Sequence, residues 1–226
     1  MTSAASEQQS DAWFGSLGSP LAAADLVNSR AYLDALGYPP ELATISVGSW
    51  QEAERIVRAS DWDRAWWEQE DRERDHLKGA AERRLGSTGM LERLTAAVDS
   101  SADAIHAAAI VAMARTGYGA DAMVHAASGA NAMVRAASGA NAMVRAASGA
   151  DAMVHAASGA DAMVRAASGA DAMVRAASGA ATLAAQEFAL AQLAGCGPDH
   201  LFMRKYSLFE SGRWPLGVLR GAFHLF

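Results

Sequence analysis

The sequence predicts a mainly α-helical fold with a helical N-terminal region, an Ala-rich decapeptide repeat forming a long or kinked helix, and a small C-terminal β-hairpin cap. Three observations predict it. Leucines recur at helical spacing between start and stop signals over residues 21–118; a ten-residue unit recurs from Gly119 to Ser178; and the last fourteen residues switch to β-formers around an Arg-Gly pair. The chain then divides into a flexible N-terminal segment (1–20), a helical region (21–118), the repeat array (119–178) and C-terminal helices with the hairpin (179–226).

Residues 1–20 are rich in Ser, Ala, Gly and Gln and read as mobile, with Trp13, Phe14 and Leu17 as a docking patch. In "SPLAAADLVNSRAYLDALG" the leucines 21, 26, 33 and 36 fall mainly at helical spacing, and Gly37 before Pro39-Pro40 marks the stop. Ser49 with Glu52 three residues on is a capping box for the next helix. "SDWDRAWWEQEDRERDHLKGAAERRLG" predicts a long helix carrying Trp62, Trp66 and Trp67 and pairs such as Glu70 with Arg74, four residues apart. These tryptophans serve either as a partner surface or as the anchor of a small helical core. Two helical stretches are expected over 87–117. Beyond the array, one helix should end at Gly195, and a second should carry Phe202, Tyr206 and Phe209 on one face. "RWPLGVLRGAFHLF" predicts a hairpin turning at Arg220-Gly221, docked on those three rings.

The repeat unit, G-A-D-A-M-V-R-A-A-S, is present in six copies. Wound at about 100° per residue, it puts Met, Val and Ala on one side and Ser, Asp and Arg opposite. Alanine is the best helix former, and Asp precedes Arg by four residues, the favourable order for a helical ion pair. Each copy is nevertheless rotated by about 80° from the one before, so the Met-Val stripe winds round the axis. A single seam cannot bury all of it, which leaves kinking at Ser-Gly, packing on several sides, or self-association. Split as ADAMV-RAASG, the unit also resembles the pentapeptide-repeat β-solenoid, with Ala before Asp or Asn and a closing Gly. That resemblance covers residues 119–178 and implies a solenoid that mimics or binds nucleic acid. The centre of each five, Leu or Phe in that family, is Ala here.

Copies differ only by Asp or Asn (Asn131, Asn141) and by Arg or His (His125, His155). Near-identity of this kind points to recent expansion, and copy number is expected to be permissive.

Composition narrows the function. A net charge of -6 argues against a general phosphate-backbone binder. The lone Cys196 rules out an internal disulfide and reads as a packed thiol in a reduced, cytoplasmic protein. No run reaches the roughly 20 apolar residues of a membrane span, and no secretory signal opens the chain. Glu73 and His76 form E-x-x-H, the spacing that places both side chains on one face in ferritin-like di-iron bundles. A second such motif is missing; Asp103 with His106 is the nearest echo, with Glu92 or Glu187 as the remaining carboxylates. His125 and His155 each follow an Asp by four, but the other copies carry Arg there. The repeat arginines 135, 145, 165 and 175 read as a solvated face.

The expected function is therefore a non-enzymatic protein-interaction or scaffold role, with no cofactor, through Trp62, Trp66, Trp67 and the repeat surface. The partner is expected to be a protein, with self-association through the repeat as a further route. One alternative is a helical-bundle metal-dependent enzyme using Glu73 and His76. The other is the nucleic-acid-binding or nucleic-acid-mimicking solenoid.

Overall fold

The computed structural model describes residues 13–59, 61–115 and 170–226. Among these, the chain is mainly helical, with a small three-stranded sheet. Helix α1 (Ala23–Ala35) starts where the Asp25 carboxylate accepts the Ala22 N–H at 2.8 Å. It stops at Gly37, whose φ of 80° lets Tyr38 donate back to the Leu33 carbonyl at 3.0 Å. Strand β1 (Ala43–Ser46) leads to helix α2 (Trp50–Val57). Here the Ser49 hydroxyl accepts the Glu52 N–H, while the Glu52 carboxylate accepts from Gly48. Helix α3 (Arg64–Arg115) is two rods meeting at Gly86, where φ 72° and ψ 157° leave the helical region. Helix α4 (Ala170–Ala194) ends at Gly195, helix α5 (Leu201–Glu210) follows, and strands β2 (Pro215–Leu219) and β3 (Ala222–Leu225) close the chain.

Strands β2 and β3 form the expected hairpin. Arg220 and Gly221 both have positive φ, 52° and 74°, the turn geometry that matches the twist of two paired strands. The sheet has the order β1-β3-β2, with β1 parallel to β3 and Ile45 beside His224. Sequence reasoning did not find β1. Four residues carry little local signal, and the partner lies at the other end of the chain, so tertiary pairing decides the conformation.

Among the described residues, two apolar clusters form the interior. One gathers Trp50, Trp214 and Phe226 of the sheet end with Ile105, Ala109 and Met113 of α3 and Met173, Ala177 and Ala184 of α4. The other gathers Tyr32, Leu33, Trp66, Leu77, Met90, Leu190, Phe202, Phe223 and Leu225. Helix α5 reaches both, with Phe202 against the Phe223 side and Phe209 against the Phe226 side, as the hairpin docking requires. Tyr206 packs against the Phe226 cluster, stacks on Phe188 and meets Trp13 in a T-shaped contact.

Other expectations need correction. Residues 13–20 are not a mobile tail: Trp13, Phe14 and Leu17 are buried. The cause is Arg213, which donates to the carbonyls of Ser16, Ser19 and Pro20 and to the buried Asp25 carboxylate, tying the segment to α1. The two stretches expected over 87–117 are one rod, running unbroken to Arg115. Of the array, Ala170–Ser178 is α-helical and forms the start of α4, with Met173 and Val174 buried. Residues 1–12 and the earlier copies, with His125, His155 and arginines 135, 145 and 165, lie outside the described residues, and so does the choice between helix and solenoid for those copies.

Candidate functional site

Trp66, Glu70 and Arg74 stand at successive four-residue steps on α3, so they share one face. That face points inward. The Trp66 indole N–H donates to the Tyr32 hydroxyl at 2.7 Å, and Tyr32 donates to Glu70 Oε1 at 2.6 Å. Lys205 of α5 donates to Glu70 Oε2 at 2.8 Å. Its Nζ also lies 2.8 Å from Glu187 Oε2 of α4, an ion-pair contact outside hydrogen-bond geometry. Arg74 completes the chain with two bonds to Glu187 Oε1, at 2.8 and 3.1 Å, and one to Asp71 at 2.5 Å. Charges alternate along it, so each buried ion meets its opposite.

This differs from the four-apart pair of Glu70 with Arg74 that the sequence suggested, because both side chains are buried and take partners on other helices. Burial favours the neutral form of Glu70 and raises its pKa despite Lys205. For Lys205 burial acts the other way, and the two glutamates outweigh it, leaving the ammonium more firmly protonated than usual. Burial, reinforced by Glu70, likewise raises the Tyr32 hydroxyl.

Sequence reasoning missed Tyr32 and Lys205 and reached Glu187 only by default. A signal was present in α4: beyond the array, Glu187 is the single charge in an apolar run, whereas Lys205 of α5 stands beside Arg204 and carried no such mark. A lone charge in an apolar run implies a buried partner.

The structure does not bring Glu73 and His76 together as a metal site. His76 is exposed, whereas the half-buried Glu73 accepts from His200 Nε2 at 2.9 Å. His200 Nδ1 accepts the Phe202 N–H and caps α5, which assigns the ring hydrogen to Nε2. Glu92 is exposed, and Glu187 belongs to the buried cluster. Among the described residues, no group of three or more His, Cys, Asp and Glu side chains converges as a metal cage. Burial and the Glu73 carboxylate push the half-buried Cys196 thiol up, away from the reactive thiolate.

Trp62, Trp66 and Trp67 pack together into the fold. Trp66 is buried with its ring against Gly217, while Trp62 and Trp67, both partly buried, pack on it with centroids 6.5 and 4.6 Å away. Trp62 also bridges to Leu219, and Asp63 donates to the Val218 carbonyl at 3.0 Å, which covers the outer edge of β2. By length and composition, one stretch of α3 is apolar enough to cross a membrane, and 38% of it is buried inside the fold.

No protein-family model matches the chain, and neither a curated protein nor a solved structure matches it.

Proposed function

We propose that the protein is a non-enzymatic scaffold, acting in the cytoplasm, whose folded base holds both ends of the decapeptide array at one place and presents the array to a protein partner. One observation carries this reading: Ile105, Ala109 and Met113, where α3 runs into the array, share an apolar cluster with Met173, Ala177 and Ala181, where α4 leaves it. Farther down the same helix pair, Arg74 and Glu187 fasten α3 to α4. The array is thus an insertion between two helices that the base clamps side by side. Trp62, Trp66 and Trp67 enter as part of the clamp, since their rings are taken up by one another and by the sheet.

In-cell proximity labelling tests this, using the full chain and a chain lacking Gly119–Ser168, which leaves a short connection between α3 and α4. Proteins labelled by the full chain should be lost on deletion while the melting temperature of the base holds. Retention of the same labelled proteins would overturn the reading. Elemental analysis of the purified full chain is the second arm: stoichiometric metal would favour the enzyme alternative.

A further inference from the structure

The two edges of the sheet are finished differently. Trp62 and Asp63 cover β2, whereas β1 lies at the other margin, and among the described residues its main chain has an open side. The Val47 N–H donates to the Leu225 carbonyl at 2.9 Å, which sets the phase of the parallel ladder. Ala43, Ile45 and Val47 turn their main-chain groups toward β3, and Thr44 and Ser46 turn theirs outward. Among the described residues, those outward N–H and C=O groups have no main-chain partner. The strand, Ala-Thr-Ile-Ser, has none of the charges or prolines by which proteins usually protect such a margin.

We propose that β1 is a homodimerisation edge, pairing antiparallel with β1 of a second copy about a two-fold axis at Ile45. The strand is self-complementary in that register. Thr44 faces Ser46 of the second copy and Ser46 faces its Thr44, so both outward residues exchange reciprocal N–H···O=C bonds. Ile45, 43% exposed in the single chain, then meets its own symmetry mate across a non-hydrogen-bonded position, where the Cα atoms approach to about 4.5 Å. A two-fold contact requires one patch to complement itself, which this arrangement meets.

Helix α1 adds apolar area along the same margin, on the face opposite the Ile45 side chain. Tyr32 packs on Phe223 of β3, and Ser29 bonds the Thr44 hydroxyl of β1 at 3.1 Å. Each three-residue step back along a helix turns about 60° in one sense, so Leu26 comes next and overhangs the margin beyond β1. It is 46% exposed. The two-fold axis keeps both copies of α1 on one face of the joined sheet, with Leu26 turned toward the other copy.

This pairing does not depend on what the array contacts, so its failure is separable from failure of the scaffold reading. Sedimentation of the full chain over a dilution series should show a dimer that dissociates on dilution. Ser46→Pro removes one outward donor without touching the ladder to β3, and Ile45→Lys puts a charge at the axis; each should weaken the dimer about tenfold or more. Register is tested by Ile45→Cys in a Cys196→Ser background, which should form a covalent dimer under mild oxidation. Ala43→Cys in the same background should not, because its mate lies roughly 14 Å away in this register, beyond disulfide reach. A monomer at every concentration overturns the proposal, as does a dimer that neither substitution weakens or that Ile45→Cys fails to link. Should Ser46→Pro and Ile45→Lys misfold, the cross-link alone decides.

Discussion

In the rod before Gly86, α3 meets α4 through Arg74 and Glu187, both buried and doubly bonded, with Lys205 wedged beside them. Toward Arg115 the same two helices meet through Ile105, Ala109, Ala112 and Met113 against Met173, Val174, Ala177 and Ala181. The first contact is particular, because beyond the array Glu187 is the one carboxylate that α4 offers Arg74, Asp171 standing sixteen residues back. The second is generic, because Met and Val recur every ten residues in the array. A ten-residue slide of α4 would offer Met163 and Val164 in place of Met173 and Val174, yet it would move Glu187 about 15 Å along the axis from Arg74. Apolar packing therefore supplies much of the cohesion, while the ion cluster distinguishes one alignment from its near copies, a use for which buried polar groups are well attested.

The largest expected effect removes apolar cohesion at both ends. Truncation after Gly221 takes out Phe223, Leu225 and Phe226, each fully buried, and with them strand β3. At roughly 1.5 to 3 kcal/mol per side chain, the loss rivals the 5 to 15 kcal/mol that stabilises a typical domain. The truncated chain should aggregate or melt far below the full chain; an unchanged melt would mean that the tail is not part of the core.

Next comes the particular contact. Lys205→Met leaves Glu70 and Glu187 buried without their shared cation and should cost about 3 to 5 kcal/mol in urea unfolding. Met173→Ala at the generic contact should fall within about 2 to 5 kcal/mol. Adding Glu70→Gln to Lys205→Met should recover part of the first loss and none of the second. Equal behaviour of the two pairs would erase the distinction between the ends.

A smaller effect is expected from alkali. Lys205 and Tyr32 keep their protons in the fold above their ordinary values of 10.5 and 10.0. The unfolded chain releases protons first, so the stability these groups contribute is complete below about pH 10 and falls as pH rises further. Thermal melts from pH 9 upward should show this decline, and Tyr32→Phe should make it shallower. Smallest of all is the deletion of Gly139–Ser158, two whole units. It removes none of the contacts among the described residues, so the melting temperature should hold; a collapse would show that the base depends on array length.

Much of the helical layout was legible because its signals are local. Gly37, Ser49, Gly86 and Gly195 each end or begin a helix by backbone chemistry that the residue itself carries. The Arg220-Gly221 turn was legible for the same reason. What escaped depends on partners far away in sequence. Strand β1 exists because β3 lies alongside it. The N-terminal segment is ordered because Arg213 reaches three of its carbonyls. Glu70 and Arg74 sat among so many charges that pairing within the helix accounted for them, whereas Tyr32, Lys205 and Glu187, from other helices, turn that face inward.

Gly217 carries one further consequence. Its φ of 119° and its missing side chain let β2 lie flush against the Trp66 ring, where any Cβ would collide. That ring donates to Tyr32, and Tyr32 to Glu70. Strand, indole, phenol and carboxylate thus touch in series, the first contact steric and the other two hydrogen bonds, so a side chain added at Gly217 would press the indole toward the ion cluster.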